Sequence, residues 1–388
     1  MNLNRAALIT ALGLAAKVAT AGRIPLLSHA LLRHTPGRLE LVATDLETTV
    51  ILEIPFTGAA LSTPTLAPIA WLLKLLKSMD GEEVVLDRNT VNAITMYEGA
   101  PGDPLPEDFP ASPDPIRFTS VQIPGLTAAM KFAYDAASVD PSRFALNHVQ
   151  VIASKKEVNV NATDGHRLYR QWLAPAGAIL TKLIPASLLD VCGLKKLIPP
   201  DQFSYGKSGE DHVTAPEYIA LRVEGQDITG WVIAREISGT FPHCDVVTPM
   251  DGSAVLQIAL DPAPTMQVVK QAIALASIDR HAMLDLVVRG GQFLIHPLGC
   301  NTELPVPGAN PMDSPDMIIG INGHYLRDAL LNLAAPVITL RAKDPGSPIW
   351  FTEGRGKAKR TIVIMPMRTN YVGLKSIDGK PTAVESIA

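Results

Sequence analysis

Three stretches of this chain open in the same way, and that repetition limits the folds it can adopt more than any single residue does. Residues 4–20, 123–138 and 262–277 are rich in Ala, Leu and Met, and each reads as a helix of about four turns starting near a Pro or Asn. About sixty residues after each opening, a second amphipathic helix leads into a strand. These pairs are residues 66–79 before EEVVLD, 184–197 before DQFSY and 322–334 before PVITLRA. In the first two units a strand between the helices ends in a matched turn, LELVATDLETT with Asp45 and VNVNATDGHRL with Asp164, 119 residues apart. Asp at that place predicts a tight turn in which the carboxylate accepts backbone N–H groups.

A chain of 388 residues, 47% of them hydrophobic, is long enough for two or three ordinary cores, and three units of roughly 125 residues fit. Each unit alternates two helices with short Val, Ile and Thr runs such as EVNVNAT and TIVIMPM, and few are spaced like parallel crossovers. The expectation is an α+β fold of three similar domains, each with two helices against antiparallel sheets. Pro-rich residues 99–115 and residues 248–264 suit linkers or long edge loops.

Arg5, the apolar run 6–16 and the Ala19-Thr20-Ala21 triplet mimic a secretory leader. The same helix type heads the second and third units, however, and Lys17 interrupts the run, so a cytoplasmic location is expected. Cys192, Cys244 and Cys300 are odd in number and form no CxxC pair, which supports neither a disulfide framework nor a zinc site. No apolar run reaches the length of a membrane span.

Net charge misleads here, because 34 basic against 38 acidic residues speaks against a nucleic-acid partner while the distribution speaks for one. The six repeated helices carry Arg5, Lys17, Lys74, Lys77, Lys131, Lys195, Lys196, Lys270 and Arg327 against Asp135, Asp190 and Asp328. The remaining 25 basic and 35 acidic residues lie elsewhere, so charge is segregated by element. If those helices share a surface, it is cationic on an acidic body and attracts phosphate. Arg23, Arg33, Arg38 and Arg143 fall in nearby turns and add to it. The bland alternative is a set of solvated Lys-rich helix faces.

ATDGHRL at residues 162–168, preceded by SRFALNHV at 142–149, resembles the central-domain signature of the bacterial DNA polymerase III beta subunit, the sliding clamp. RIPLLSHALL at 23–32 and ATDLETTV at 43–50 are similar to the first domain of that family, GTFPHCDVVTP at 239–249 to the end of the second, INGHYLRDAL at 321–330 to the third, and IVIMPMR at 362–368 to the terminus. The resemblance implies domains at residues 1–121, 122–251 and 252–370, with a tail at 371–388. Two chains would join head to tail into a ring around duplex DNA, gripped without sequence specificity, and Ile273 and Leu275 align with the dimer contact. An arc of sheet-bearing units leaves an unpaired strand edge at each end, which such pairing covers. Arg23 and Arg143 are the best matches to DNA-facing positions.

The resemblance also implies a peptide-binding groove for the polymerase III catalytic subunit, the clamp loader and other clamp-motif proteins. Its residues would be Leu146, Thr163, Gly165, His166, Arg167, Leu168, Pro242, Val247, Asn322, Tyr325, Val363, Met365, Pro366, Met367 and Arg368. Met adapts to varied apolar anchors, Leu and Val wall a pocket, and Arg fixes a carbonyl or acid at the rim. No cofactor, metal or catalytic residue is expected, and no membrane partner.

Several features depart from the family. Asp245 and Val246 stand where basic residues are expected, which predicts an acidic groove rim. About twenty residues follow the MPMR run, where relatives usually stop. The third unit has HPLGCNTELP in place of an Asp turn, with Asn301 and Glu303 as its nearest polar groups. A specialised, for example inhibitor-tolerant, clamp paralogue is one alternative. An enzyme using Asp164 and His166 is the other, but the chain has no phosphate-binding Gly loop, HExxH or GxSxG, and Asp45 repeats the turn without a histidine.

Overall fold

The computed structural model describes residues 1–19, 24–87, 90–96, 104–192, 201–208, 215–237, 239–250, 252–276, 280–354, 356–369 and 371. Six α-helices fall where the repeats predict them: α1 (Arg5–Val18), α2 (Ile69–Ser78), α3 (Leu126–Tyr134), α4 (Ala186–Cys192), α5 (Pro262–Leu275) and α6 (Gly323–Asn332). Three of the starts follow from capping chemistry. Asn4 accepts from the Ala7 amide at 3.0 Å, Asp261 from Ala263 at 3.1 Å ahead of Pro262, and Asn322 from His324 at 2.9 Å and Tyr325 at 3.4 Å. The strand pairs whose register is described are antiparallel, in keeping with an α+β fold.

The chain divides into two compact units, one of residues 1–131 with 175–239 and one of residues 132–174 with 240–388. In the first, the long strand Thr48–Thr57 is the hub. It pairs with Arg38–Thr44 and Asn2–Asn4, and also with Thr229–Arg235 in the register Glu53↔Thr229 to Thr48↔Ala234. Gly230 permits that last pairing: its φ is 157°, and a Cβ there would lie 2.1 Å from the Ile51 carbonyl oxygen. Val42, Ile51, Leu66, Phe109, Phe118, Ala220 and Ile233 form a core cluster. The leader-like run is an ordinary core helix: α1 buries Ala7, Leu8, Ala11, Leu12, Leu14, Ala15 and Val18 and packs against α2.

The second unit holds two sheets. In one, the strands His148–Ala153, Val158–Thr163, Arg167–Leu173, Arg360–Ile364, Ile349–Glu353, Ile338–Ala342 and Leu256–Leu260 follow one another. The other orders Leu304–Pro305, Gln292–Pro297, Met283–Arg289 and Met317–Asn322, and α5 and α6 pack together nearby. No described helix is long and apolar enough to cross a membrane.

Candidate functional site

The two ATD turns are built alike. In the first, Asp45 Oδ1 accepts the Glu47 and Thr48 amides at 3.0 and 2.6 Å, while Thr44 Oγ1 accepts the Leu46 amide and donates to the Thr48 carbonyl, both at 3.0 Å. In the second, Asp164 Oδ1 accepts the His166 and Arg167 amides at 2.8 and 3.0 Å, and Thr163 Oγ1 accepts the Gly165 amide at 3.0 Å and donates to the Arg167 carbonyl at 2.6 Å. The residue after each Asp has a positive φ, 80° at Leu46 and 91° at Gly165. Only the second turn adds an arginine: Arg167 Nε reaches Asp164 Oδ2 at 3.1 Å, its Nη1 reaches Asp328 at 2.9 Å, and its guanidinium lies 4.6 Å from the Tyr325 ring centre. Burial works against the charged Arg167, but Tyr169, Asp164 and Asp328 outweigh it.

Beside this turn, the second unit has a cavity of about 140 Å³. Thr163, Gly165, Arg167, Leu168, Pro242, Val247, Val363 and Met365 line it, all of them groove residues named from the sequence. His243 and Cys244 also line it and were not named, although they lie inside the same PHCDVV string. Burial pushes the Cys244 thiol up to about 11, so it serves as an apolar wall. A neighbouring depression of about 370 Å³ brings His166 and Tyr325 together with Arg143, Asp140 and Val139. Leu146 is half-buried at the end of a short 3-10 turn, Asn322 is buried as the α6 cap, Pro366 and Met367 are half-buried, and Arg368 is exposed. These five line neither cavity.

The acidic residue expected at the rim, Asp245, is 86% exposed and is tied to a buried cation. Arg170, buried against the Trp172 ring at 4.6 Å, donates to Asp245 Oδ1 at 2.5 Å and to Thr248 Oγ1 at 3.1 Å. The Asp245 carboxylate is therefore paired with a cation, and the two bonds fix the turn that carries Pro242, Cys244 and Val247.

The basic residues of the helices divide into two sets. Lys74, Lys77, Lys131 and Lys270 are exposed, and among the described residues none is in an ion pair. Arg5 and Lys17 are structural instead. Arg5 donates to the carbonyls of Leu76, Met79 and Gly81 at 3.0, 2.6 and 2.6 Å, and Lys17 to those of Asp190 and Val191 at 2.8 and 3.3 Å, satisfying the carbonyl ends of α2 and α4. Arg327 pairs with Asp328 at 2.7 Å, Arg33 with Glu40, and Arg38 with Thr229 at 3.1 Å. Arg143 donates to the Asp164 carbonyl at 2.8 Å and lies 3.9 Å from Asp140. Arg23, Lys195 and Lys196 lie outside the described residues, as does the tail 371–388 apart from Tyr371. At the end of α5, Ile273 is half-buried and Leu275 is 45% exposed. Among the described residues no group of three His, Cys, Asp or Glu could hold a metal ion.

No protein-family profile matches the sequence, and no curated protein does. Solved structures do match over nearly the whole chain. A DnaN sliding clamp (DNA polymerase III subunit beta) from Bartonella birtlesii bound to griselimycin superposes with a TM-score of 0.76 at 19% identity, covering 95% of this chain and 99% of that one. The DNA polymerase beta subunit of Streptococcus pyogenes gives 0.74 at 16% identity with the same coverage. The DNA polymerase sliding clamp of Bacillus subtilis gives 0.74 at 15% identity, covering 95% and 98%. By its architecture, this chain has the fold of the bacterial DNA polymerase III beta-subunit sliding clamps.

Proposed function

We propose that the protein is a DNA sliding clamp. Two copies close into a ring around duplex DNA, hold it without reading sequence, and tether DNA polymerase III and other clamp-motif proteins through the groove beside Asp164. The observation that carries this reading is a fold match spanning 95% of this chain and 99% of the clamp. The cavity lined by Leu168, Val247, Val363 and Met365 supports the docking half, since small apolar anchors in a preformed groove give exchangeable affinity. The three-domain division at residues 121 and 251, and dimerisation through Ile273 and Leu275, belong to the same proposal.

Lys74, Lys77, Lys131 and Lys270 supply the weak phosphate contacts that sliding needs. Reversing Lys74, Lys131 and Lys270 together to Glu should lower loading onto nicked circular duplex DNA, followed by gel filtration at low salt, because the encounter with phosphate depends on these charges. Unchanged loading would remove these lysines from the DNA surface. The competing acid/base reading of Asp164 and His166 meets a physical obstacle, because both carboxylate oxygens of Asp164 already accept hydrogen bonds.

A further inference from the structure

The chain beyond the MPMR run crosses the four-stranded sheet of the second unit and meets its strands in spatial order. The Met367 amide donates to the Gly320 carbonyl at 2.7 Å, on the edge strand Met317–Asn322. Thr369 faces Asp285 on the next strand, a carboxylate that is fully buried and has no hydrogen-bond partner among the described residues. Tyr371 stacks on His296 of the third strand, with ring centres 3.8 Å apart and planes 12° from parallel. Its hydroxyl donates to Glu303, beside the fourth strand, and Glu303 is ion-paired with Arg289 at 2.5 Å. Every second residue thus advances by one strand, which an extended chain rising about 3.3 Å per residue can span with slack against a strand spacing of about 4.8 Å.

The sheet is shaped for this crossing. At Gly320 a Cβ would come 2.7 Å from the Met367 carbonyl oxygen, so a larger residue would lift the crossing chain off the sheet. Burial and the neighbouring Glu303 both hold the Tyr371 hydroxyl in its protonated, donating form. On the other side of the crossing, the Met365 amide donates to the His166 carbonyl at 2.8 Å, and Met365 lines the cavity. The segment from Met365 to Tyr371 is therefore tied at both ends, and its first residue is a groove wall.

We propose that Tyr371 is a positioning residue for the groove: its seat on His296 and Glu303 anchors the crossing chain and so holds Met365 in place. The anchor follows from the contacts alone, and its consequence for peptide binding rests on the clamp reading above. The seat supplies a role for Glu303, the polar residue of the third unit that stands where the other units have their Asp turn.

Hydrogen exchange of the Met365 and Met367 amides tests the anchor directly, and calorimetric titration with griselimycin tests its consequence. Tyr371→Ala should speed exchange of both amides by roughly tenfold or more and weaken griselimycin by about tenfold, while Tyr371→Phe, which keeps the ring stack, recovers most of both. Exchange rates in Tyr371→Ala equal to those of the unaltered protein would overturn the proposal, even if affinity fell. Faster exchange together with no griselimycin binding to the unaltered protein would leave the anchor standing, overturn its consequence for this ligand, and favour the inhibitor-tolerant clamp instead. Gly320→Ala is the second variant: it leaves Tyr371 in place, and the same amides should lose protection.

Discussion

Asp45 and Asp164 hold the same turn, yet the two carboxylates carry different loads. Each accepts two backbone amides, and each loses those bonds on truncation, which leaves N–H groups without partners in a part-buried turn. Asp164 also holds Arg167, a side chain only 12% exposed that stacks on Tyr325 and reaches Asp328. Asp164→Ala should therefore cost about 2–4 kcal/mol and Asp45→Ala about 1–2 kcal/mol in urea unfolding. Equal losses would mean that the arginine adds nothing to the second turn. The shared part of this geometry was readable in the sequence, because donor and acceptor lie within three residues of one another. The Arg167–Asp328 pair spans 161 residues and the Arg170–Asp245 pair 75, and residue order alone carries no sign of either. The exposed Asp245 was legible, but the buried arginine that ties it down is distant in sequence.

The helices were legible as elements because their apolar spacing and caps are local, but the use of their charges was not. Nine basic residues on six repeated helices suggested one cationic surface, whereas Arg5 and Lys17 point at the carbonyl ends of α2 and α4. A helix end leaves its last carbonyls without intrahelical partners, and a cation there both bonds them and opposes the negative end of the dipole. Arg5→Ala removes three such bonds at once and should destabilise the protein by about 2–3 kcal/mol. DNA loading, measured at a temperature where the variant stays folded, should match that of the unaltered protein. A drop in loading as large as that from reversing Lys74, Lys131 and Lys270 would place Arg5 on the DNA surface after all.

For the whole molecule, the repeat revealed three similar stretches but not how their strands combine. Thr48–Thr57 pairs with Thr229–Arg235, and Arg167–Leu173 with Arg360–Ile364, so the two larger sheets recruit strands from distant parts of the chain. Charge at this scale bears on how the proposed clamp would hold DNA. With a net charge of −4 and a limited set of exposed helix lysines, electrostatic attraction gives a hold that weakens steeply with salt. Encirclement needs no strong contact, since a closed ring leaves a circular duplex only by opening. Sedimentation should accordingly give a mass twice the 41.5 kDa of one chain. Protein retained on a nicked plasmid should then be lost when a restriction enzyme linearises that plasmid at unchanged salt, because the ring slides off a free end. A single-chain mass, or equal retention on linear and circular DNA, would mean that the protein adheres to DNA rather than surrounding it.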